Sequence, residues 1–245
     1  MSRDRSPFRY ILVHAMDVAR IQVLLYAVVA FGLAFVTRKI SGSVGANSLD
    51  VADLLRTILS ATLMIAILMA AGGVAGNDRK QGFYRAFFSK PMAPWWYYLQ
   101  RWLVGLAAVL TIPLWLALAF QLVFGKGSNL TIELFGSVAL AYLLIGGAVL
   151  LCSTVTARDW LVVFLVYFMQ RRMQEAQEML TRIGQEVPRL VDVLVTILPP
   201  FDVTASIGTM PSGQALWHVV LYGLAMVVIA LVVLIVRPLG SGGRA

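Results

Sequence analysis

The sequence predicts an all-α integral membrane protein, and two observations carry this prediction. The chain of 245 residues is 60% hydrophobic and only 13% charged, whereas a soluble domain is normally about one quarter charged. Its mean hydropathy is +0.82, and its apolar residues are gathered into six stretches separated by more polar segments. A soluble fold cannot hide this much apolar surface, but a bilayer can. We therefore expect one transmembrane domain over residues 1–245, with six transmembrane helices.

The predicted spans follow the apolar stretches and lie at about 21–37, 56–76, 102–124, 132–156, 160–183 and 215–236. A straight span needs about 20 residues, but the fifth stretch is clearly apolar only to Met169. Beyond it an apolar seven-residue repeat continues, and opposite charges four apart can pair, as in Arg171 with Glu175 and Glu178 with Arg182. The fifth helix is therefore expected to leave the hydrocarbon and continue to about residue 183.

Two further segments are predicted at the membrane surface. Residues 8–20 carry apolar side chains at helical spacing, which predicts an amphipathic interfacial helix leading into the first span. Residues 184–214 form a predicted outer segment, in which the apolar piece 190–198 is too short to span and ends at Pro199-Pro200. We expect this piece to be a re-entrant or interfacial helix before the last span, shielded by protein or water.

Basic residues set the predicted orientation. With the N-terminus inside and six crossings, the inner segments hold twelve basic and four acidic residues, and the outer segments hold eight of each. Because basic residues collect on the cytosolic side, both chain ends are expected in the cytosol of a multi-pass protein of the cell (inner or plasma) membrane. The same rule accounts for the net charge of +8, so no nucleic-acid partner is expected.

The loop between the second and third apolar stretches, residues 77–101, is the most informative segment for function. It holds five basic residues and one acidic residue, which predicts a cytosolic location. Phenylalanine and tyrosine side chains recur in it at helical spacing, and the aromatic residues 95–98 predict an interfacial belt. A short amphipathic helix held between two spans suits the transmission of force from a cytosolic partner. An ordinary basic loop resting on lipid headgroups is the alternative.

Three short motifs follow one another in this loop. They are Asp78-Arg79-x-x-Gly82, Phe87-Phe88-Ser89-Lys90-Pro91 and Tyr97-Tyr98-Leu99-x-Arg101. Together they resemble the loop after the second span in type-2 ATP-binding-cassette (ABC) exporter permeases. Phenylalanines stand here where that family has leucines more often, and Phe83 stands where a small hydroxyl residue is frequent. The resemblance extends over the whole chain in span number, spacing and placement of the ends, and includes the proline-rich segment 198–201.

The resemblance implies a membrane-spanning permease subunit that moves a substrate out of the cytosol. Its implied partners are cytosolic ABC ATPase subunits and a second permease copy, in a homodimer or a heterodimer. The loop would be a coupling helix seated on the ATPase through Asp78, Arg79, Gly82, Phe83, Arg85, Phe87, Phe88, Lys90 and Pro91. The N-terminal helix would flank that seat, residues 170–214 would form the external gate, and substrate would pass along the second and fifth spans. Drugs, lipids, polysaccharides and peptides are all substrates of the family, so the substrate stays open.

The chain is not expected to be an enzyme or to bind a cofactor directly. It holds no G-x-x-x-x-G-K-[ST] motif, so ATP and magnesium are expected in the partner subunit, and no catalytic or metal-binding residue is predicted. Gly72 and Gly76 form a small-xxx-small pair that permits a close helix-packing seam. Ordinary packing within the chain is the more frequent reason for such a pair.

Two other classes of protein stay open on the sequence alone. A stand-alone ion-coupled secondary transporter or channel would want an ionisable residue or a broken helix at mid-membrane depth, and Pro113 is an internal helix breaker without an accompanying charge. An intramembrane enzyme or assembly factor would need clustered His, Asp or Glu near one membrane face. The densest charges lie in 170–192, where their four-apart spacing is typical of a solvated helix.

Overall fold

The computed structural model describes residues 15, 28–32, 34–36, 38, 51–72, 75, 94–125, 130–183, 189, 193, 198–201, 207–211 and 213–236. The secondary structure of these residues is helical, with no strand among them. Six helices have defined bounds: α1 Val51–Ala71, α2 Pro94–Leu110, α3 Ile112–Phe124, α4 Ile132–Val155, α5 Asp159–Arg182 and α6 Gln214–Val236. Residues 28–32, 34–36 and 38, within the first predicted span, are also helical.

Four stretches of the described residues are long and apolar enough to cross a membrane. They are Asp53–Ala71, Trp95–Phe124, which combines α2 and α3, Ile132–Val155 and Gln214–Val236. The chain is therefore an all-α, multi-pass membrane protein. Helix α5 is not among the four because its second half is charged from Arg171 onward. Two of the six predicted spans, 21–37 and 160–183, are not among these four.

Three of the predicted helices are found within one residue of their expected bounds. The predicted span 132–156 is α4, which ends at Val155, and the predicted span 215–236 is α6, which begins at Gln214. Helix α5 covers Asp159–Arg182, so the continuation past Met169 is confirmed as a helix. Thr131 caps α4 by accepting a hydrogen bond from the Leu134 N–H at 3.3 Å, which is how a helix N-terminus satisfies one of its free donors.

Helix α1 lies five residues earlier than the predicted span 56–76. Its first turns hold an ion pair between Asp53 and Arg56 at 3.5 Å, which is a favourable arrangement three residues apart on a helix. The helix ends at Ala71, and Gly72 follows in a turn whose N–H donates to the Leu68 carbonyl at 2.8 Å. Hydropathy alone placed the start too late because the polar residues of this first turn do not count as membrane residues.

The third predicted span, 102–124, is formed by two helices and begins earlier. Helix α2 starts at Pro94, so residues 94–101 of the predicted loop 77–101 belong to this helix. The break between α2 and α3 falls at Thr111. Pro113 has no N–H for the Val109 carbonyl, and its ring crowds the preceding turn. The Thr111 hydroxyl turns back to donate to the Ala108 carbonyl at 2.7 Å.

The predicted interfacial belt at residues 95–98 is corrected by the structure. Trp95 and Trp96 are half-buried, but Tyr97 and Tyr98 are 2% and 0% exposed, and their rings meet edge-on at 5.1 Å. Pro94 is well tolerated as the first residue of a helix, where its missing N–H has no partner to lose. The residues behind it therefore take helical spacing, which turns both tyrosines into the bundle.

Helix α4 is the centre of the bundle. In its 18-residue membrane-crossing window, 72% of the residues are buried, compared with 33% in that of α6, and α1, α2, α5 and α6 all pack against it. Helix α6 makes the most extensive of these contacts. The two helices run parallel, since Gly136 near the start of α4 faces Met210 just ahead of α6, and Gly147 faces Val227 further along.

Helices α1, α2 and α4 meet at Gly105. The Tyr142 hydroxyl of α4 donates to the Trp102 carbonyl of α2 at 2.7 Å, and Tyr142 is fully buried. A methyl group at Gly105 would collide with this hydroxyl and would also lie 3.1 Å from the Ala70 carbonyl oxygen of α1. Glycine is therefore required for the close approach of the three helices at this level.

We expect Gly105→Ala to lower the free energy of unfolding by about 1–3 kcal/mol, the usual cost of overpacking. Tyr142→Phe should cost about 0.6 kcal/mol, as for a typical hydrogen bond between membrane helices. Because removal of the hydroxyl also removes the main clash, the double variant should cost less than the sum of the two. Denaturant unfolding of the four proteins in detergent measures this coupling, and strictly additive costs would contradict the packing described for Gly105.

Described parts of the predicted outer segment 184–214 also pack into the bundle. Phe201 and Ile207 are buried, and the Phe201 ring lies 5.8 Å from that of Tyr167 on α5. The Gly208 N–H donates to the Ser137 hydroxyl of α4 at 3.0 Å. The predicted helices at 8–20 and 190–198 fall largely outside the described residues, which include helical positions at Ala15 and Val193.

Candidate functional site

The residues predicted to contact the ATPase lie outside the described residues. This holds for Asp78, Arg79, Gly82, Phe83, Arg85, Phe87, Phe88, Lys90 and Pro91, and also for Gly76 of the predicted packing pair. The described chain resumes at Pro94, where α2 begins. The coupling role of this loop therefore stays a prediction from the sequence.

The described residues bring together a groove between α1 and α5, which we call the α1–α5 groove. Its volume is about 500 Å³, and it is lined by Ile65, Leu68, Met69, Gly72, Ala157, Trp160 and Phe164. None of these seven residues is charged or titratable. The groove can therefore receive apolar surface, from another helix or from the apolar part of a small molecule, but it has no group for proton transfer or metal binding.

Helix α1 contributes an exposed stripe to one side of this groove. Thr57, Ala61, Ile65 and Met69 follow one another four residues apart and are all exposed. The opposite face, which includes Leu63, is buried against the bundle. Positions four apart lie on one face of a helix, so α1 presents one continuous surface that is polar at its start and apolar toward Met69.

Helix α5 contributes a row of aromatic side chains to the other side. Trp160 and Phe164 line the groove, and Phe168 continues the row at the same spacing, with exposures of 49%, 41% and 46%. The Arg172 guanidinium lies 5.1 Å from the centre of the Phe168 ring, which is a favourable cation–π distance. Arg172 also pairs with Glu175 at 3.0 Å. The row therefore changes from apolar to charged after Phe168.

Gly72 lies where α1 and α5 approach each other. A β-carbon at this position would be 3.6 Å from the Trp160 β-carbon, within ordinary contact distance. The described contact of Gly72 is thus with α5 of the same chain. The predicted role of Gly72 and Gly76 as a helix-packing seam between copies remains a prediction.

The charged half of α5 follows the prediction in part. Arg171 pairs with Glu175 at 3.4 Å, as the spacing indicated, whereas Glu178 and Arg182 form no ion pair within the described part of the chain. The predicted apolar face is not the buried one, since Met169 is 60% exposed and Gln170 is 1% exposed. Helix α5 packs through positions rotated by one residue from the apolar repeat.

Sequence reasoning missed a second cavity on the other side of α5. It lies among α4, α5, α6 and the segment 199–201, and Cys152, Val163, Phe201 and Tyr222 are among its lining residues. The apolar positions of α5 that line this cavity are visible in the sequence. The segment 199–201, which completes the lining, lies more than thirty residues further along the chain. Its approach to α5 depends on tertiary packing, which local periodicity does not encode.

Within the described residues, neither charged side chains nor potential metal ligands mark a further candidate site. The middle parts of the four membrane-crossing stretches carry no charged side chain: Asp53, Arg56, Arg101 and Glu133 lie toward their ends. No group of three or more His, Cys, Asp or Glu side chains that could hold a metal ion occurs in this part of the chain. The α1–α5 groove is therefore the main candidate site that the helices form.

No family model, curated protein or solved structure matches the chain. The class of protein is thus defined by the structure itself. It is an all-α, multi-pass membrane protein with an exposed apolar groove between α1 and α5.

Proposed function

We propose that this chain is the membrane-spanning permease subunit of an ATP-driven exporter. The observation that carries the proposal is the α1–α5 groove, which is apolar, uncharged and exposed on one side of the bundle. Helices α1 and α5 are the second and fifth predicted spans, along which the family resemblance implies that substrate passes. The groove is where a second permease copy would face this one.

An exposed apolar stripe on a membrane helix can simply contact lipid, so the shape of the surface matters. The groove is concave, and its volume of about 500 Å³ falls within the range of about 300–1,000 Å³ typical of small-molecule sites. Two such grooves facing each other across a dimer would enclose a larger apolar pathway. An apolar pathway fits several of the family's substrate classes, so the proposal does not name the substrate.

The energy for transport would come from cytosolic ABC ATPase subunits that bind ATP and magnesium. The coupling surface on this chain is the loop with the basic residues Arg79, Arg85 and Lys90, placed in the cytosol by the positive-inside rule. This placement puts six spans across the cell membrane with both chain ends inside. The absence of charge in the middle of the described membrane-crossing stretches favours this mechanism over an ion-coupled carrier.

Copurification with the cognate ABC ATPase that the proposal requires tests the proposal. The tagged wild-type chain should retain the ATPase after detergent extraction. The double variant Phe87→Asp, Phe88→Asp should lose it, because two charges would replace the apolar face predicted to dock on the ATPase. Leu130→Asp, at an exposed position on the predicted outer side, serves as the control and should retain it. Retention by the double variant, or no retention by the wild type, would contradict the proposal.

A further inference from the structure

Two pockets of different character adjoin each other at Phe201. The apolar pocket has a volume of about 340 Å³, and Cys152, Val163, Val166, Pro199, Phe201 and Tyr222 are among its lining residues. The polar pocket has a volume of about 240 Å³ and is lined by Tyr167, Gln170, Arg171, Gln174, Glu175, Glu178 and again Phe201. A molecule that passed beside Phe201 would have one end in an apolar environment and the other in a polar one.

Helix α5 provides a wall to both pockets. Val163, Val166, Gln170 and Gln174 are spaced by three or four residues along it, so they share one face of the helix. This face is distinct from that of Trp160 and Phe164, which line the α1–α5 groove. The two pockets are thus a separate feature, and their interpretation does not depend on the proposed function.

Gln170 lines the polar pocket and carries an unpaired acceptor. Its side chain is 1% exposed, and its Oε1 atom is buried without a hydrogen-bond partner in the described structure. Buried polar groups are nearly always paired, and an unpaired one carries the full cost of its lost hydration. A bound molecule that donates a hydrogen bond to this oxygen would remove that cost.

The charges around the polar pocket favour a cationic donor. Glu175 is already paired with Arg171 at 3.4 Å and with Arg172 at 3.0 Å. Glu178 makes no ion pair among the described residues. Among the lining residues, Glu178 is therefore the carboxylate without a guanidinium partner in the described structure, and both Gln170 Oε1 and Glu178 accept hydrogen bonds. An ammonium group supplies donors and a positive charge together.

We propose that the two pockets form one binding site for an amphiphile with a single alkyl chain and a primary amine headgroup. The alkyl chain occupies the apolar pocket between α4, α5 and α6. The amine lies beside Gln170, and the Glu178 carboxylate, about two turns further along α5, attracts its positive charge from a distance. The volume of the apolar pocket is near the lower end of the range of about 300–1,000 Å³ for small-molecule sites, which suits a single alkyl chain. The amphiphile could be a component of the bilayer or a molecule taken up from solution.

Cys152 gives a direct readout of occupancy, because it is the one cysteine of the chain and it lines the apolar pocket. The rate of its alkylation by N-ethylmaleimide can be followed by mass spectrometry of the purified full chain in detergent. Dodecylamine should slow the alkylation by about fivefold or more at saturation. Dodecyltrimethylammonium has the same chain and charge but no N–H donor, so it should need about tenfold higher concentration for the same protection.

Substitution of Gln170 tests the headgroup contact. Gln170→Leu should raise the half-protecting concentration of dodecylamine by about tenfold, the loss of one hydrogen bond to a charged donor. Gln177→Leu, on the same helix but outside both pockets, should leave it unchanged. Gln170→Glu should lower it, because it adds a charge that attracts the amine. This opposite effect keeps the test decisive should the leucine variant fail to fold.

Analysis of the lipids released from the purified protein distinguishes the two sources of the amphiphile. An amine lipid that is released from the wild-type protein, and is reduced in Gln170→Leu, would assign the site to the bilayer. Protection only after dodecylamine is added would assign it to molecules from solution. Equal protection by both amines, together with no effect of either Gln170 variant, would overturn the proposal.

Discussion

Charge reversal of both Arg85 and Lys90 to glutamate is expected to reduce chain-stimulated ATP hydrolysis by at least about tenfold. The two residues belong to the basic loop that we propose is seated on the ATPase. Reversing a charge at a complementary interface replaces attraction by repulsion, which costs several kcal/mol, and about 1.4 kcal/mol suffices for a tenfold effect. The measurement is the ATPase rate of the reconstituted complex at saturating ATP.

Arg244→Glu provides the control for this prediction. Arg244 carries the same charge, and it lies in the C-terminal segment predicted to be cytosolic, away from the loop. The ATPase rate should be close to that of the wild type. If the Arg85 and Lys90 double variant also kept the wild-type rate, the loop would have no role in coupling, and its basic residues would be explained by contact with lipid headgroups alone.

Gly223→Val is expected to destabilise the bundle by about 3 kcal/mol, the upper part of the range for overpacking. A β-carbon at this position would lie 2.7 Å from Leu143 Cγ and 3.2 Å from both the Leu143 carbonyl carbon and its oxygen. At the same contact between α4 and α6, a β-carbon added at Gly147 would lie 3.1 Å from the Gly223 carbonyl oxygen. Both backbones therefore meet closely here, and α4 and α6 would have to separate to admit a valine side chain.

Thermal unfolding in detergent measures this effect. Ala215→Val introduces the same side chain at an exposed position on α6 and serves as the control, with an unfolding midpoint near that of the wild type. The midpoint of Gly223→Val should fall well below both. Equal midpoints for the two valine variants would contradict the close contact between α4 and α6.

The sequence predicted α4 and α6 to within one residue because membrane helices are set by hydrophobic length. Each is a nearly uninterrupted apolar stretch, preceded by a polar or turn-forming residue, Thr131 or Gly213. The continuation of α5 was also predictable, because its charges fit helical spacing as well as its apolar residues do. These features are local, so a single sequence contains them.

Other features required knowledge of which helices become neighbours. Tyr97 and Tyr98 have the composition of an interfacial belt, yet both are buried once α2 packs into the bundle. The buried face of α5 includes Gln170 and excludes Met169, which reverses the order that hydrophobicity predicts. The choice of face is decided by contacts with α4 and Phe201, which are remote in sequence.

The candidate site also combines features that are local in sequence with features that depend on which helices become neighbours. The sequence marked Gly72 and the second and fifth spans, and the described structure places Gly72 beside Trp160 at the end of the α1–α5 groove. The groove itself, with its volume and its aromatic row, depends on the packing of both α1 and α5 against α4. The coupling residues from Asp78 to Pro91 lie outside the described residues, so their role is a prediction from motif resemblance.

The central claim is that this chain is a conduit driven by a separate ATP-hydrolysing partner. The most direct measurement is ATP hydrolysis by liposomes that contain the chain and its cognate ABC ATPase, compared with liposomes that contain either protein alone. The account predicts that the rate with both proteins exceeds the sum of the separate rates, and that the chain alone hydrolyses no ATP. A rate equal to that of the ATPase alone would contradict it.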